Sequence, residues 1–310
     1  MYYPYLRGRQ FELIALREYA MQYRGVNKIV PIIEPVKKVF NSLKLALPLL
    51  IKGNVKFALI LNPKVGEISK TLDITNELKD ELADQSKWIP AYLLDNNYSE
   101  ISERILDDLY RDVMVICSDK TDSTDSAFND LILSPQIKYI VSKENRTLKR
   151  KLSGKGKEFI RLDECFKGQK SNKEYSIIED ERFSEEHLFY EEDGYAGFAD
   201  YTVLVNEYNE GGFLPYAVAI HLTYEKENKE VWIRHFVSIS NDDRANIQGK
   251  FAEAAKKAVD FLDLKNIHSC ASEELRDYYN TSAYPGLGMV KKISIKNHLE
   301  LINGILNTTE

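Results

Sequence analysis

Short apolar runs alternate with longer amphipathic segments along the first two thirds of this chain. Eight runs have the length and composition of β-strands, and stretches with helical periodicity lie between them. The runs are nearly continuous in apolar residues, which is typical of parallel strands covered on both faces. They are YYPYL (2–6), KIVPII (28–33), VKFALIL (55–61), WIPAYLL (88–94), DVMVIC (112–117), IKYIV (137–141), EFIRL (158–162) and GFADYTVLV (197–205).

The spacing of these runs favours a closed barrel. Their starts are 21 to 39 residues apart, close to one strand, one helix and two short loops. Eight such units predict an α/β fold with a single domain over residues 1–310, a (β/α)8 TIM-like barrel. The competing fold is an open doubly wound sheet, which usually has fewer strands and a glycine-rich phosphate loop after an early strand. Neither G-x-G-x-x-G nor G-x-x-x-x-G-K-[ST] follows an early run.

Two segments depart from the plain repeat. Residues 167–193 are polar and acidic and lengthen the connection between the seventh and eighth runs, so we expect an insertion there. Residues 214–240 hold two strand-like runs around the turn KEN and predict a β-hairpin insertion after the eighth strand. The hairpin would lie in the last loop between strand and helix, near the face where such barrels carry active sites. Residues 246–264 then supply the eighth helix.

Composition limits the classes of function. The chain is 44% hydrophobic and 29% charged, as in an ordinary soluble globular protein. Its net charge of −6 and its mixed acidic and basic residues argue against general binding to nucleic acid or to membrane surfaces. The three cysteines are widely separated, and neither an apolar membrane span nor a leader-like amino terminus is present. A cytoplasmic location is therefore expected.

Polar residues stand at the ends of nearly all the apolar runs. In a barrel of this kind, side chains at the carboxyl ends of the strands converge on one mouth, where active sites lie. The residues at these positions are Arg7, Glu34, Asn62, Asp95, Ser118 with Asp119, Ser142 and Asp163, and Asp200 is a further candidate within the eighth run. Asn, Asp and Ser are also common turn formers and helix caps, so that interpretation stays open for Asn62, Asp95, Ser118 and Ser142.

Three of these residues predict acid/base groups or metal ligands. Glu34 is a poor turn former, and Asp200 lies in an aromatic run where a carboxylate needs a partner or has a raised pKa. With Asp163, they could share a divalent cation or be neutralised by Arg7. His235, in VWIRHFV, is the candidate for acid/base work near neutral pH, and the alternative for it is a solvated or cross-strand partner.

The opening YYPYLRGRQFELIALRE, with KIVPIIEPVK, LILNP and GFADYTVL after it, resembles the beta protein family of bacterial and phage proteins. The resemblance is most specific in the first 37 residues. It implies a TIM-barrel-like fold with a basic residue ending the first strand, P-I-I-E at the second and a G-x-x-D-Y-like element at the eighth. Here these positions are Arg7, Glu34 and Asp200 with Tyr201. It also implies an anti-phage defence or mobile-element setting and a companion protein, and it implies no reaction.

Two functions remain open, and the sequence does not decide whether the protein is an enzyme. The first is a barrel enzyme acting on an anionic or phosphate-bearing substrate, with an unknown cofactor that could be a divalent metal ion. Its predicted catalytic residues are Glu34, Asp163, Asp200 and His235. Its predicted substrate-binding residues are Arg7, Arg9, Asn62, Asp95 and Tyr201. The second is a non-catalytic binding or scaffold protein that regulates a partner through residues 167–193 and the hairpin.

Overall fold

Strands and helices alternate through the first two hundred residues, as the spacing predicts. The structure is a computed structural model that describes residues 1–68, 72–210 and 215–308. The strands are β1 (Tyr5–Leu6), β2 (Ile32–Ile33), β3 (Phe57–Ile60), β4 (Trp88–Leu94), β5 (Val113–Cys117), β6 (Ile137–Ser142), β7 (Glu158–Asp163), β8 (Asp180–Ser184), β9 (Gly197–Asp200), β10 (Ala219–Glu225) and β11 (Val231–Val237). The α-helices are α1 (Gln10–Gln22), α2 (Asn41–Lys52), α3 (Ile74–Glu77), α4 (Tyr98–Asp107), α5 (Ser126–Leu133), α6 (Arg146–Leu152), α7 (Tyr175–Ile178), α8 (Glu186–Phe189), α9 (Ile247–Leu264), α10 (Cys270–Asn280) and α11 (Leu287–Thr308).

The chain folds into two compact units. The first, called the barrel unit, comprises residues 1–9, 23–163 and 189–200. The other, called the second unit, comprises residues 10–22, 164–188 and 201–310. The single domain over residues 1–310 stays a prediction.

The barrel unit is an eight-stranded parallel sheet that closes on itself. Its strand order is β1-β2-β3-β4-β5-β6-β7-β9. The two ends of this order meet at Tyr2, which forms parallel bridges to both Ile29 and Phe198. Next to this bridge, the backbone N–H of Tyr3 donates to the Phe198 carbonyl at 2.8 Å. The predicted TIM-like barrel is therefore confirmed, with parallel strands that leave no open edge between β1 and β9.

The eighth strand is shorter than its apolar run. The run GFADYTVLV spans residues 197–205, whereas β9 ends at Asp200. The chain turns directly afterwards, because Thr202 adopts a positive φ of 56° and the Leu204 N–H donates to the Tyr201 carbonyl. Local turn geometry therefore ends the strand, although the residues that follow are still apolar.

Side-chain contacts distinguish the interior of the barrel from its helix-facing side. The ring centres of Tyr3, which precedes β1, and Tyr139, which lies in β6, are 6.5 Å apart. Because β1 and β6 are not neighbours in the sheet, these rings meet across the interior of the barrel. Phe159 of β7 points the other way, because it contacts Tyr195 and borders a cleft with Lys149 of α6. Successive residues of a strand face opposite sides, so the strand register extends these two faces around the barrel.

Small residues make room for the tyrosines inside the barrel. Gly197 shares the interior face with Ile160, its register partner on β7. A Cβ atom at Gly197 would lie 2.6 Å from the Tyr3 ring, closer than side chains pack. Ala58 and Ala91 occupy the same face on β3 and β4. The interior is thus a packed core rather than a pore.

Helix starts in the barrel unit follow the capping residues in the sequence. The side chains of Asp73, Asp125 and Asn145 accept hydrogen bonds from backbone N–H groups in the first turns of α3, α5 and α6. These groups have no partner within the helix, so each cap fixes where its helix begins. The capping positions lie one residue before the amphipathic segments that connect the strands.

The second unit holds a three-stranded antiparallel sheet with the order β10-β11-β8. The predicted hairpin is present, with β10 paired to β11 around residues 226–230. The expected polar insertion, residues 167–193, also contains α7, α8 and the third strand, β8. The segment DERFS has only one large apolar side chain, Phe183, which is buried. Its strand depends on pairing with β11, a partner 47 or more residues away along the chain.

Helices cover one face of this sheet. Ile220, Leu222 and Tyr224 of β10 belong to one buried cluster with side chains of α9, which is the predicted eighth helix, and of α10 and α11. α1 also belongs to this unit and packs on α11. There the buried ammonium groups of Lys292 and Lys296 both pair with Glu18 at 2.9 Å. None of the helices in the described ranges is long and apolar enough to cross a membrane.

Candidate functional site

A buried carboxylate joins the ends of the first three barrel strands. Glu34 directly follows β2, and its backbone N–H continues the ladder by donating to the Leu6 carbonyl at 2.8 Å. Its fully buried carboxylate accepts from the Tyr5 hydroxyl at 2.7 Å, from the Lys64 backbone N–H at 3.0 Å and from the Arg7 guanidinium. A buried carboxylate must be paired and hydrogen-bonded, and these three donors meet that requirement without water.

Arg7 lies beside Glu34 at the same end of the barrel. Its guanidinium pairs with the Glu34 carboxylate and stacks 5.0 Å from the centre of the Tyr5 ring. The side chain keeps 16% of its surface exposed. Arg7 is therefore held in one orientation at the border between the core and solvent.

Lys64 extends this arrangement to the fourth and fifth strands. Its ammonium group lies 3.5 Å from Asp95 Oδ2, and the Ser118 hydroxyl donates to Asp95 Oδ1 at 2.6 Å. The loop that carries Lys64 approaches the chain beyond β2 at Gly66, which has a φ of +91°. A Cβ atom at Gly66 would lie 2.2 Å from the Val36 carbonyl oxygen, so this close approach requires glycine.

These five residues form one connected polar group, which we call the mouth site. It consists of Arg7, Glu34, Lys64, Asp95 and Ser118. The hydrogen bond from the interior-facing Tyr5 places Glu34 on the interior side of the barrel. Asp95 and Ser118 each come two residues after an interior-facing residue, Leu93 and Ile116, so strand alternation places them on that side as well. All five belong to the barrel unit and lie at or beyond the carboxyl ends of β1 to β5.

Asn62 has a structural role at the edge of this group. Its side-chain amide donates to the Leu93 carbonyl at 2.9 Å and accepts from the Leu93 N–H at 2.8 Å. These bonds reproduce the backbone pairing between β3 and β4 one step beyond β3. They give Asn62 a structural role in joining β3 and β4, rather than the turn or cap that the sequence leaves open. Substrate binding by Asn62 stays a prediction.

Asp163 and Asp200 are together, but they are separated from Glu34. They are register partners on β7 and β9, and each follows an interior-facing residue, Leu162 and Ala199, so both face the helix side of the wall. Asp200 is buried and accepts from the Tyr2 hydroxyl at 2.6 Å. The expected mouth with three converging carboxylates is therefore not formed, because strand alternation places Glu34 on the opposite face.

The environment of Asp163 favours its protonated form. Burial raises the pKa of the Asp163 carboxyl above its ordinary value, and the neighbouring Asp200 adds to this rise. The Arg161 guanidinium, 2.8 Å from Asp163, opposes it without cancelling it. Within residues 1–68, 72–210 and 215–308, no three His, Cys, Asp or Glu side chains are arranged to hold a metal ion. Asp163 and Asp200 lie side by side here as a pair of carboxyl groups.

Two of the predicted substrate-binding residues lie beside the division between the units. Arg9 is half-buried, ends the first stretch of the barrel unit and directly precedes α1. Tyr201 is also half-buried, follows Asp200 directly and is counted in the second unit. Their roles in substrate binding stay predictions.

His235 belongs to the second unit and has a histidine partner. It lies directly opposite His221 in the hairpin, with 2.7 Å between the two Nδ1 atoms. Its Nε2 lies 3.4 Å from Glu181 Oε1 on β8. Burial lowers the pKa of His235, and the Glu181 carboxylate only partly opposes this effect. His235 is thus a cross-strand partner whose pKa is shifted away from neutral pH, and a catalytic role for it stays a prediction.

Several residues of these groups were not predicted from the sequence. Lys64 and Gly66 lie in the loop NPKVG, where no motif marks them. The Lys64 contact with Glu34 uses a backbone N–H, which any residue except proline could supply. Comparisons with protein-family models, curated proteins and solved structures found no match. The architecture itself is a TIM-like parallel barrel with an additional antiparallel sheet. The chemistry of the mouth site therefore rests on the contacts between its own residues.

Proposed function

We propose that the mouth site binds a small anionic, phosphate-bearing substrate and that the protein is an enzyme acting on it. The observation that carries this proposal is the contact of Glu34 with both the Arg7 guanidinium and the Lys64 backbone. It brings two cationic residues from the ends of β1 and β3 to one interior-facing carboxylate. Guanidinium and ammonium groups form strong charge-assisted hydrogen bonds with phosphate oxygens.

Preorganisation supports binding rather than a purely structural role for these cations. Arg7 is fixed by Glu34 and Tyr5, so little side-chain freedom is lost when it meets a ligand. Lys64 and Asp95 are 39% and 30% exposed and lie 3.5 Å apart, so an anion can compete for the ammonium group without unfolding the site. Asp95, oriented by Ser118, would act as the general base at this face.

The two carboxylates on the helix-facing side have a secondary place in this proposal. Burial raises the pKa of Asp163, so its carboxyl group would act as a proton donor to a group bound beside it. The neighbouring Asp200 carboxylate raises the pKa of Asp163 further. Neither shares the face of Glu34, so the substrate phosphate is assigned to Arg7 and Lys64 alone.

The setting of the reaction follows from the resemblance in the first 37 residues. Similarity to the beta protein family supports a place in an anti-phage defence module together with a companion protein. Cys117, Cys165 and Cys270 form no disulfide, which fits a reducing cytoplasm. The net charge of −6 favours a small anionic ligand bound locally over a long nucleic acid.

Titration with inorganic pyrophosphate tests the site. We expect calorimetry to detect binding, and Lys64→Ala to weaken it about tenfold, the equivalent of ~1.4 kcal/mol. This variant keeps the backbone N–H that bonds Glu34. Arg7→Lys keeps the charge but loses the planar fork, so it should also weaken binding.

Lys138→Ala is the matched control. Lys138 is 39% exposed, as Lys64 is, and pairs with Glu158 near the amino end of β6, opposite the mouth site, so its loss should leave affinity unchanged. Equal weakening by Lys64→Ala and Lys138→Ala would show that the anion binds through general surface charge and would contradict the proposal. Phosphate release from a panel of phosphorylated small molecules then tests turnover.

A second candidate function is regulation of a partner by binding. The observation that favours it is that residues 167–193 and the hairpin form one three-stranded sheet, β10-β11-β8. Ile177, in the α7 helix that packs on this sheet, is 86% exposed, and in this candidate function its side chain would contact the partner. A defence phenotype that tolerates Lys64→Ala but is lost in Ile177→Asp would favour binding. The reverse pattern would favour the enzyme.

A further inference from the structure

The second unit contains a cavity of about 340 Å³ that is separate from the mouth site. Its size is in the range of small-molecule sites, which are usually apolar with a few placed polar groups. Its apolar wall includes the rings of Phe166 and Tyr175 and side chains of residues 203–205. Its polar lining residues are Gln169, Asn172, His221, Lys291 and Ser294.

His221 is the lining residue with the most specific environment. Its ring makes edge contacts with Tyr175 at 4.7 Å and with Phe166 at 5.2 Å, so aromatic side chains fix its plane. Its Nδ1 lies 2.7 Å from Nδ1 of His235. The His235 side chain is fully buried and does not line the cavity. The ring edge of His221 opposite Nδ1, which carries Nε2, is therefore the edge available to the cavity.

The contacts also assign the protons on the two rings. At 2.7 Å, one Nδ1 must donate and the other must accept. Glu181 Oε1, 3.4 Å from His235 Nε2, is an acceptor, so the proton of a neutral His235 lies on Nε2 and its Nδ1 accepts. His221 then carries its proton on Nδ1, and its Nε2 has a lone pair. Glu181 thus acts through His235 as a positioning residue for His221.

We propose that this cavity binds a small, flat, uncharged molecule that donates one hydrogen bond, from a hydroxyl or N–H group, to Nε2 of His221. The aromatic and aliphatic walls favour a flat apolar body. Lys291, the cationic residue among the described lining residues, already pairs with the buried Glu12 at 3.1 Å, so a charged ligand gains little there. This site is independent of the proposed function of the mouth site.

The ionisation of the pair agrees with this assignment. Burial, followed by the neighbouring His235, lowers the pKa of His221 to about 3. Burial lowers the pKa of His235 as well. Both rings are therefore neutral at pH 7, as the tautomer assignment assumes, and His221 acts as a hydrogen-bond acceptor rather than as a cation.

Indole and benzofuran are matched probes, because they have the same shape and only indole has an N–H donor. We expect the full-length protein to bind indole at least about tenfold more tightly than benzofuran, which corresponds to ~1.4 kcal/mol for one hydrogen bond in an apolar site. His221→Phe, which keeps a ring against Tyr175, should remove this preference. His187→Phe is the control, because His187 is another buried histidine of the same unit but does not line the cavity.

Equal binding of both probes, no binding of either at millimolar concentration, or a preference that survives in His221→Phe would overturn the proposal. A second measurement does not depend on any variant. Nitrogen-15 NMR of the histidine rings should show His221 protonated at Nδ1 and bare at Nε2. A proton on Nε2 of His221 would overturn the proposed acceptor role.

Discussion

The mouth site and the histidine pair bury polar groups in opposite ways. Glu34 has a cation, a hydroxyl and a backbone N–H as donors to one carboxylate. His221 and His235 have mainly each other, with a single carboxylate at 3.4 Å from His235, and their pKa values are lowered. The first arrangement should therefore depend on each partner being present, whereas the second should depend on pH. The two tryptophans allow both to be followed, because Trp88 lies in the barrel unit and Trp232 in the second unit.

Loss of the Glu34 carboxylate should have the largest effect. Glu34→Ala leaves the half-buried Arg7 guanidinium, the Tyr5 hydroxyl and the Lys64 N–H without their common acceptor. We expect the free energy of unfolding of the barrel unit to fall by about 3–5 kcal/mol. Urea unfolding followed by Trp88 fluorescence, in a Trp232→Phe background, measures this change.

An exposed ion pair provides the control for this experiment. Glu67 pairs with Lys37, and both side chains are more than one third exposed. Glu67→Ala should change the same free energy by no more than about 1 kcal/mol. If Glu34→Ala were as mild as Glu67→Ala, the donors around Glu34 would not determine the stability of the mouth site, and the contrast between the two regions would fail.

Acid should destabilise the second unit through the histidine pair. Below the ordinary histidine pKa of about 6.5, the unfolded chain takes up protons that the folded pair refuses. The stabilising contribution is therefore present above that pH and is lost as the pH falls towards the folded pKa, about 3 for His221. The loss approaches ~1.4 kcal/mol per pH unit for each refused proton.

His221→Phe should flatten this pH dependence between pH 6.5 and 5. Trp232 fluorescence in a Trp88→Phe background reports the second unit. The same slope in His221→Phe and in the parent protein would mean that His221 binds protons equally in the folded and the unfolded chain, contrary to the assignment of a neutral His221 ring.

Strand alternation explains why the barrel could be predicted and why part of the site could not. Near-continuous apolar runs fix which segments are buried parallel strands. The face of a residue at a strand end changes if the strand shifts by one position, and sequence patterns do not locate ends to that accuracy. Glu34 therefore faces the interior whereas Asp163 and Asp200 face the helices, although Glu34 and Asp163 directly follow apolar runs and Asp200 ends β9.

Pairing between strands that lie far apart in the sequence is the second reason why part of the structure could not be predicted. β8 is too polar to be recognised without its partner β11, and so Glu181 was not linked to His235. The pairing of His221 with His235 did leave a signal, since each lies seven residues from Asn228 at the centre of the connecting turn. A hairpin symmetrical about Asn228 places them opposite each other. The orientation of their protons depends on Glu181 and could not be read from the hairpin alone.

Asp163 should give the smallest effect and the opposite sign to the histidine pair. Because burial and Asp200 raise its pKa, the folded barrel binds a proton at a higher pH than the unfolded chain does. Acidification from pH 7 to 5 should therefore stabilise the parent protein relative to Asp163→Asn, by less than about 1 kcal/mol because solvent screens this half-buried group. The difference between the two Trp88 unfolding curves isolates this contribution, since carboxylates far from Asp163 contribute equally to both. If the parent protein instead lost stability relative to the variant, the Arg161 ion pair would outweigh burial, and Asp163 would resemble Glu34 in depending on its cation.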